Sequence, residues 1–523
     1  MPARKNASMS SPTQTHVAND AMVVKAPETL SVVGPKVEYG TIADGYTAIA
    51  QYLSMPAAST VFINSLITNP QHPVDFKMSD TDGLDWRSAQ YVIPLTAPGS
   101  HAMTFEISPE HTAYLKKYVA KGDLQMIPAQ GHAYPGGSIP AYLTEKLAEQ
   151  APIAEGLKGH ALFNSYQTQE VASLATELGQ KPPVSTDDYL NFLSKGYVHA
   201  VAKDAKVTIA PGIVFDKPLP VADYIAQIEK MGEQVPLTKI WIKASSLSGG
   251  QGIVPVENPT PASIKEAFNT IAKAYHNAGF YNKNAPEMAE DKPFDGINFF
   301  MPIVVETDIG SLKGVKEVVA NTCVQAVVAK DKITMVGTSL QLTKNGEYIG
   351  AALPSEADAP AVKAAESEAI KLLKKMAADG YVGFAGVDVI VTKDDKGAIK
   401  PFALEVNPRL NASTPLLSLA QHAEEETGGK IYAVTVMHYL ENLPYADKAA
   451  SVHQTIGKDL YKADETGFEG VVPYMVDPND PLKTAFRAAV MATTPEKLEA
   501  LVDGLKQKVE KHNTFAKNVR MGL

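Results

Sequence analysis

The sequence predicts an α+β protein built on antiparallel sheets. Two pairs of apolar, strand-like stretches support this prediction: residues 316–329 with 332–343, and residues 382–392 with 398–409. A short polar turn joins the two members of each pair. Turns this short join antiparallel neighbours, because parallel strands need a long crossover connection. Helix-like stretches occur between strands, but not in the regular alternation that a fully parallel sheet requires.

Length and composition limit the class of protein. The chain has 523 residues, enough for roughly two to four domains, and 45% of the residues are hydrophobic, so large cores can form. The formal net charge of −10 argues against a nucleic-acid scaffold or a protein that binds anionic membranes. We find no apolar segment typical of a signal peptide or a membrane span, and we expect a soluble, cytoplasmic protein.

Cys323 is the single cysteine, which excludes an intramolecular disulfide and a cysteine metal cluster. Its neighbours form a strand-like stretch. We interpret Cys323 as a thiol packed in the core and not as a nucleophile.

The N-terminal third is expected to contain a tail and one domain. Residues 1–28 are polar and aperiodic, which predicts a disordered tail. Residues 29–184 alternate strand-like and helix-like pieces, which predicts an α/β domain. We expect buried strands at 59–67 and 89–95, and a short helix at 111–120.

Two loops of this first domain are rich in turn-forming residues, at 69–86 and 132–140. Loops on a rigid scaffold often contact ligands, although an ordinary surface excursion is the alternative. The stretch "KPPVSTDD" at 181–188 marks the expected end of the domain.

Residues 185–300 are expected to form a second domain. "STDD" supplies helix N-caps before the helix-like stretch 189–205. Residues 206–215 predict a strand, a Pro-Gly turn and another short strand. Amphipathic helices are expected at 221–232 and 260–280, where apolar residues recur at helical spacing.

The two remaining parts differ in composition. Residues 301–420 contain the strand pairs described above and an amphipathic helix at 359–380 that Gly380 ends. For residues 421–523 we expect a mainly helical segment, with its clearest helix at 495–512.

The stretch "IKASSLSGGQGI" at 242–253 places a lysine at the end of an apolar strand, before a loop of serines and glycines. Backbone N–H groups of successive glycines can converge on an anion, and Lys243 adds a positive charge. The order of residues fits neither a Walker loop nor a Rossmann fingerprint. We interpret the stretch as a strand–loop–strand flap over phosphates; a Ser/Gly hairpin without function is the alternative.

Two carboxylates lie on the second strand pair. Asp388 is on its first strand and Glu405 on its second, and Asn407 and Arg409 follow Glu405 at strand periodicity. If the hairpin brings Asp388 to the same face, oxygen ligands of the kind that Mg²⁺ prefers converge there. Arg409 would then stabilise developing negative charge. An ordinary polar strand end is the alternative, but unpaired burial of Glu and Asn in an apolar strand is costly.

In this order, "IKASSLSGGQGI", "VVETDI" and "GVDVIV…ALEVNPR" resemble the ATP-grasp superfamily, which includes D-alanine–D-alanine ligase and biotin carboxylase. The resemblance covers residues 185–420. It implies the ATP-grasp fold, in which ATP lies between two α+β subdomains that each contribute an antiparallel sheet. The implied cofactors are ATP and Mg²⁺, with Mn²⁺ as a substitute.

The resemblance implies nucleotide contacts at several positions. Lys243 matches the lysine that reaches the ATP phosphates, and Lys195 matches an earlier nucleotide-contacting lysine, with Lys203 as the alternative. The implied contacts of the phosphate-covering loop are Ser245, Ser248, Gly249, Gly250 and Gly252.

"VVETDI" resembles the hinge between the subdomains, whose backbone reads the adenine edge. Glu306 would contact the adenine amino group, and Asp308 or Ile309 would line the adenine or ribose pocket.

The implied metal ligands are Asp388, Glu405 and Asn407, with Arg409 beside the acyl phosphate. The first acidic ligand is Asp where Glu is frequent, and the phosphate loop carries three serines where many members have more glycine. Neither departure removes a required group.

The region before residue 185, the long loops and the C-terminal segment resemble the pre-ATP-grasp ligases, which include pheganomycin-type peptide ligases. This implies a ligase that joins a small carboxylate and an amine, such as an amino acid or peptide, through an acyl phosphate. Substrate contacts are expected at Arg409, Asn411, Ser413 and Thr414. Family members are often dimers, and a carrier protein is a further partner to consider. The alternatives are another ATP-grasp transfer, by a kinase, carboxylase or carrier-loading ligase, and a non-catalytic nucleotide-binding protein.

Overall fold

The computed structural model describes residues 34–55, 60–63, 74–76, 90–105, 108–127, 139–164, 167, 169–217, 219–245, 252–277, 280–282, 302–344, 347–443, 447–463, 467–477 and 482–521. The chain divides into the units Met1–Gly34 and Pro35–Leu523, and only the second is described beyond a single residue. The predicted disordered tail at 1–28 lies outside the described residues, as does most of the loops at 69–86 and 132–140.

The strands fall into four sheets. In chain order they are β1 (Lys36–Tyr39), β2 (Thr60–Ile63), β3 (Val74–Phe76), β4 (His101–Phe105), β5 (Asp123–Ile127), β6 (Ala161–Asn164), β7 (Gly212–Phe215), β8 (Lys239–Ala244), β9 (Ile253–Glu257), β10 (Phe280–Asn282), β11 (Ile303–Thr307), β12 (Glu317–Val328), β13 (Lys332–Lys344), β14 (Glu347–Ala352), β15 (Gly383–Lys393), β16 (Ile399–Asn407), β17 (Tyr432–Glu441), β18 (Gly470–Asp477) and β19 (Lys483–Ala492).

The α-helices lie between these strands. They are α1 (Ile42–Tyr52), α2 (Pro109–Tyr114), α3 (Ile139–Ala148), α4 (Pro152–Glu155), α5 (Gln169–Glu177), α6 (Thr186–Leu193), α7 (Gly196–Ala205), α8 (Val221–Gly232), α9 (Pro261–Asn277), α10 (Ala359–Ala378), α11 (Thr414–Thr427), α12 (Lys448–Ile456) and α13 (Pro495–Met521). The helix α2 continues as a π-helical turn over Leu115–Val119.

The largest sheet has nine strands, in the order β16-β15-β12-β13-β14-β17-β19-β18, with β1 parallel beside β13. All its other pairs are antiparallel. The two hairpins predicted from the sequence, β12–β13 and β15–β16, are confirmed. In the second hairpin Asp388 lies directly opposite Glu405, so the two carboxylates share a face as expected.

The helix α10 covers the other face of this hairpin and packs on β12, β15 and β16. Its buried residues Leu372, Leu373 and Met376 belong to the same core as Val387 and Val389. The chain turns after α10 at Gly380, whose φ of +94° is a conformation that glycine adopts without strain, as predicted for this position.

A smaller antiparallel sheet has the order β7-β11-β8-β9. The helices α8 and α9 pack against it, and Phe268 and Ile228 are fully buried in the shared core. β8 and β9 are joined as the predicted strand–loop–strand unit. Ser185 caps α6 by accepting a hydrogen bond from Asp188 N, as its sequence predicted.

The third sheet lies in the N-terminal part and is parallel, in the order β5-β4-β2-β6. With α3 to α5 it forms the expected α/β arrangement. One prediction here is wrong: in place of the strand expected at 89–95, Gln90–Leu95 is a 3₁₀ helix. The side chain of Gln90 exchanges two hydrogen bonds of 2.9 Å with the backbone of Val476 in β18. A side chain, and not the backbone of another strand, therefore pairs with the N–H and carbonyl of Val476.

The C-terminal segment is less helical than predicted. Besides α12 and α13 it contributes β17, β18 and β19, which extend the large sheet across the domain boundary expected near residue 420. β19 contains four alanines, which have weak strand propensity, so its sequence does not indicate a strand. Pairing with a neighbour on each side determines its conformation. None of the described helices is both long and apolar enough to cross a membrane.

Candidate active site

The site lies where the small sheet faces the β15–β16 end of the large sheet. Asp388 and Glu405 are opposite each other, and the ladder shifts register directly after Asp388. A bulge of this kind changes the direction of neighbouring side chains and is common beside active sites. Asn407 Nδ2 donates to Asp388 Oδ2 at 3.0 Å, so the three predicted metal ligands come together.

Three cations surround Glu405. Lys195 Nζ lies 3.4 Å from Glu405 Oε2, and the charges of Lys243 and Arg409 also act on this carboxylate. Burial opposes ionisation, but the three cations together hold the pKa of Glu405 below its ordinary value. Glu405 is therefore a carboxylate.

Asp388 is in the opposite situation. Burial and the neighbouring Glu405 raise its pKa to about 7. Its two oxygens accept hydrogen bonds from Gln341 Nε2, at 2.6 Å, and from Asn407 Nδ2. Two adjacent buried carboxylates repel each other, and a divalent cation between them would remove that repulsion.

The donor set fits magnesium. Asp388 and Glu405 offer the hard oxygen atoms that Mg²⁺ binds, with water and phosphate oxygens to complete an octahedron. The amide oxygen of Asn407 accepts from Arg409 Nη2 in this structure, so a turn of the amide would bring it to the metal. No group of three His, Cys, Asp or Glu side chains among the described residues forms a metal cluster, so a zinc-type site is not present in this part of the chain.

Lys243 is the penultimate residue of β8 and forms an ion pair with Glu306 of β11. Glu306 also accepts a hydrogen bond of 2.7 Å from His199 Nε2 when that nitrogen carries the proton. Burial alone would raise the pKa of Glu306, but Lys243 and His199 lower it to about 2. For Lys243, burial favours the neutral amine, but Glu306, Glu405 and Asp388 raise the pKa and keep the ammonium charged.

The two lysine candidates for the nucleotide contact lie in different surroundings. Lys195, at the start of the helix, is 7% exposed and points to Glu405, whereas Lys203 is exposed on the helix surface. Lys195 N also donates to the carbonyl of Ser245 at 3.2 Å, which ties the helix start to the phosphate loop.

The structure describes the two ends of the predicted phosphate loop. Ser245 is fully buried, and its hydroxyl lies 2.8 Å from that of Ser194. Gly252 has a φ of +66°, and its carbonyl accepts a hydrogen bond from Ala244 N at 2.7 Å. Ser248, Gly249 and Gly250 lie outside the described residues, and their phosphate contacts stay predictions.

The predicted hinge has packed side chains. Asp308 accepts hydrogen bonds from Trp241 Nε1, at 2.8 Å, and from Ser311 Oγ, at 3.0 Å, and Ile309 is buried beside Phe402. The carboxylate of Glu306 is bound to Lys243 and His199. The predicted adenine and ribose contacts of this segment stay predictions.

The predicted substrate contacts Ser413 and Thr414 bond inward to the large sheet. Ser413 Oγ accepts hydrogen bonds from Gln325 and Ser339, and Thr414 Oγ1 donates to Gln325 Oε1 at 2.7 Å. This buried network fixes the start of α11. Asn411 is also buried, and its side chain donates to the carbonyl of Arg409 at 3.3 Å.

The sequence motifs did not identify three residues of the site. Gln341 and Gln325 are polar side chains within apolar strands, a signal that was present in the sequence. No sequence pattern identifies His199, because its partner Glu306 is 107 residues away in the chain. Cys323 is a buried free thiol whose pKa burial raises well above its ordinary value, as expected for a packed cysteine.

Residues 315–413 match the family model of the ATP-grasp domain. These residues contain β12 to β16, α10 and the predicted metal ligands. The match and the two antiparallel sheets confirm the predicted ATP-grasp fold. The ATP-grasp domain is that of ATP- and magnesium-dependent ligases, the class of enzyme and the cofactors that the sequence predicted.

The chain is similar in structure to several solved proteins. Biotin carboxylase from Campylobacter jejuni, in a complex with β,γ-ATP, has a TM-score of 0.49 at 14% identity and covers 85% of this chain and 90% of its own. N5-carboxyaminoimidazole synthetase from Staphylococcus aureus, complexed with ADP, has a TM-score of 0.45 at 11% identity, covering 86% and 98%. Both TM-scores are below 0.5, so these two similarities indicate nothing about the activity of this chain. No curated protein sequence matches the chain.

Proposed function

We propose that the protein is a carboxylate–amine ligase that uses ATP and magnesium and forms an amide through an acyl phosphate. The observation that carries this proposal is the pair of buried Asp388 and half-buried Glu405, with Lys195, Lys243 and Arg409 around it. One site thus contains carboxylates that can bind a metal ion and cations that can bind phosphates. Phosphoryl transfer requires mainly this positioning and charge stabilisation.

In the first step a substrate carboxylate oxygen attacks the γ-phosphorus of ATP, and the bond to ADP breaks. Lys243 stabilises negative charge on the phosphates, and Glu306 holds its ammonium in place. Asp388, Glu405 and Asn407 would hold magnesium, which supplies further charge neutralisation when bound.

In the second step an amine attacks the carbonyl carbon of the acyl phosphate, phosphate leaves and the amine loses a proton. Arg409 would stabilise the oxyanion of this step. The hydrogen bond of 2.9 Å from its Nη2 to Asn407 Oδ1, which orients the guanidinium, supports this role. The buried network of Ser413 and Thr414 holds the chain that follows Arg409.

For the substrates we propose an amino acid or small peptide, as in the pre-ATP-grasp peptide ligases that the sequence resembles. A homodimer and a carrier-protein partner are further proposals that rest on the same resemblance.

The test is ADP and phosphate release from ATP and Mg²⁺, with panels of amino acids as carboxylate and amine substrates and mass analysis of the products. The expected result is ADP, phosphate and an amide that depends on both substrates. AMP with pyrophosphate, or a stable phosphorylated product, would show that the protein carries out another transfer. No nucleotide turnover with any pair would contradict the proposal.

A further inference from the structure

The helix α7 contributes two side chains to the site from one face. Lys195 lies directly before its first turn and His199 is four residues further, the spacing that places side chains next to each other on a helix. Lys195 Nζ is 3.4 Å from Glu405 Oε2, and His199 Nε2 is 2.7 Å from Glu306 Oε1. The helix packs on α10 and on β16 of the large sheet, whereas Glu306 belongs to β11 of the small sheet. The contact between His199 and Glu306 therefore joins the two halves of the site.

The small sheet leaves room for this contact at Gly212. Gly212 of β7 lies directly opposite Glu306 in the β7–β11 ladder. A Cβ atom at this position would be 2.9 Å from His199 Cε1 and 3.1 Å from Glu306 Cγ. Both distances are shorter than those that carbon atoms adopt in ordinary packing. The imidazole reaches the carboxylate because the residue beside them has no side chain.

Glu306 has two partners among the described residues. Its side chain is buried, Oε2 pairs with the ammonium of Lys243, and Oε1 accepts a hydrogen bond from His199. The charges of Glu405 and Asp388 also act on Lys243, so its ammonium lies within the electrostatic field of the predicted metal site. The phosphates of a nucleotide bound at that site attract the same ammonium. Any N–H of Lys243 that turns to a phosphate weakens the pairing with Glu306, and a buried carboxylate that loses a partner is unfavourable.

We propose that His199 is a positioning residue for nucleotide binding: it keeps Glu306 hydrogen-bonded while the ammonium of Lys243 is shared with the phosphates of ATP. This inference rests on the proposed function, because it requires that the site binds ATP. His199 Nε2 donates to Oε1 and Lys243 Nζ donates to Oε2, so the two contacts exist together. The helix that carries the imidazole is itself anchored, since Tyr197 Oη donates to Asp379 at 2.8 Å. His199 therefore stays beside Glu306 when Lys243 changes partner.

The first test compares glutamine and methionine at position 199. The two side chains have nearly the same length, but only glutamine can donate a hydrogen bond to Glu306. Binding of a non-hydrolysable magnesium–ATP analogue to the full chain is measured by calorimetric titration. We expect His199→Met to weaken binding by about 10- to 100-fold and His199→Gln to stay within about 3-fold of wild type. Asp204→Asn, exposed on the same helix, is the control and keeps the wild-type affinity.

The second test repeats His199→Met in the Glu306→Gln background. A neutral side chain at position 306 leaves no buried charge for His199 to stabilise, so His199→Met should change analogue affinity by less than about 2-fold there. An equal loss in both backgrounds, or wild-type affinity in His199→Met, overturns the proposal. A purely structural role of His199 predicts lower stability in urea with unchanged analogue affinity. His199→Leu replaces His199→Met if the latter does not fold, and the comparison with His199→Gln decides by itself if Glu306→Gln does not fold.

Turnover separates this proposal from the ligase function. His199→Met should raise KM for ATP at least about 10-fold and leave kcat within about 3-fold of wild type, because the loss affects bound ATP and the transition state equally. If the analogue binds with the expected pattern but no substrate pair is turned over, the ligase function is wrong and the role of His199 stands. If turnover occurs and His199→Met leaves KM for ATP unchanged, the ligase function stands and the His199 proposal is wrong. A wild-type chain that does not bind the analogue also overturns the His199 proposal, and ADP release then decides the ligase function by itself.

Discussion

The two carboxylates of the predicted metal site differ because three cations act on Glu405, whereas the charge of Arg409 offsets only part of the burial of Asp388. Lys195, Lys243 and Arg409 act on Glu405 and lower its pKa, whereas burial and Glu405 raise the pKa of Asp388. Glu405 is therefore ionised before a nucleotide binds. A divalent cation would therefore stabilise the charged form of Asp388 more than it stabilises that of Glu405.

The first prediction concerns Glu405→Gln, which keeps the side-chain volume and removes the charge. We expect ADP-forming turnover to fall by about 10²- to 10³-fold, since one metal ligand and the partner of Lys195 are lost together. Steady-state ADP release measures this. Glu317→Gln, an exposed glutamate of the same sheet, is the matched control and keeps wild-type turnover. Wild-type kcat in Glu405→Gln would refute the metal assignment.

The second prediction concerns the Lys243–Glu306 ion pair and pH. The folded-state pKa of Glu306 is about 2, against an ordinary glutamate value of 4.5, so Glu306 stabilises the fold fully above about pH 4.5. This contribution, about 3 kcal/mol at neutral pH, is lost as pH falls from 4.5 towards 2. Glu306→Gln should therefore be less stable than wild type at pH 7, and the difference should shrink as the pH falls to 3.

Urea unfolding at pH 7, 4.5 and 3 measures this difference. Glu317→Gln serves again as the control, with a change within about 0.5 kcal/mol at each pH because it is exposed. If the difference in unfolding free energy between Glu306→Gln and wild type stayed constant from pH 7 to pH 3, the ion pair would not lower the pKa of Glu306.

At the scale of elements, local patterns identified the hairpins but not the strands that depend on distant partners. The β15–β16 hairpin was predictable because alternation, a short turn and polar residues at one end agree with each other. The 3₁₀ helix Gln90–Leu95 looks like a strand in sequence, and only the hydrogen bonds of Gln90 to Val476 show why it is not one. Tertiary contacts likewise make β19 a strand.

The third prediction concerns the contact between α2 and α12. His111 Nδ1 lies 2.8 Å from His453 Nε2, both rings are buried, and burial lowers their pKa values to about 3 and about 4. Glu110 and Asp447 are the charged groups near His453. Burial outweighs them, so the pKa of His453 stays below its ordinary value. Because both pKa values lie below 6.5, the unfolded chain binds more protons, and stability falls as pH drops from about 6.5 towards 4.

The slope of this loss is up to about 1.4 kcal/mol per pH unit for each histidine. His453→Gln keeps a hydrogen-bonding group beside His111 and removes one titrating ring, so the slope between pH 6.5 and 4.5 should be shallower than in wild type. Urea midpoints at intervals of 0.5 pH unit measure it. His512→Gln, on the part-buried face of α13, is the control and should keep the wild-type slope. An unchanged slope in His453→Gln would contradict the neutral pair.

At the scale of the whole molecule, the site combines groups that are far apart in the chain. Each motif was recognisable by itself: Lys243 before its loop, and Asp388 and Glu405 on their hairpin. Their mutual placement was not predictable, because it depends on how the small sheet faces the large one. The ion pair of Glu306 with Lys243 shows this, since it arises from the β8–β11 register and not from spacing in the sequence.

The last prediction follows from this arrangement. A nucleotide that contacts both sheets stabilises the folded chain by mass action, by about 2.7 kcal/mol at a concentration 100 times its Kd. We expect a non-hydrolysable ATP analogue with Mg²⁺ to raise the melting temperature by several degrees, and excess EDTA to remove most of this increase. Asp388→Asn should reduce the increase with Mg²⁺ to the value seen with EDTA, because it removes a ligand charge while keeping the side-chain volume and one of the two oxygens that accept from Gln341 and Asn407. Asp395→Asn, in the exposed turn between β15 and β16, is the control and should behave as wild type. An increase that is equal with and without the metal would show that the nucleotide binds without magnesium, and Asp388 and Glu405 would then need another explanation.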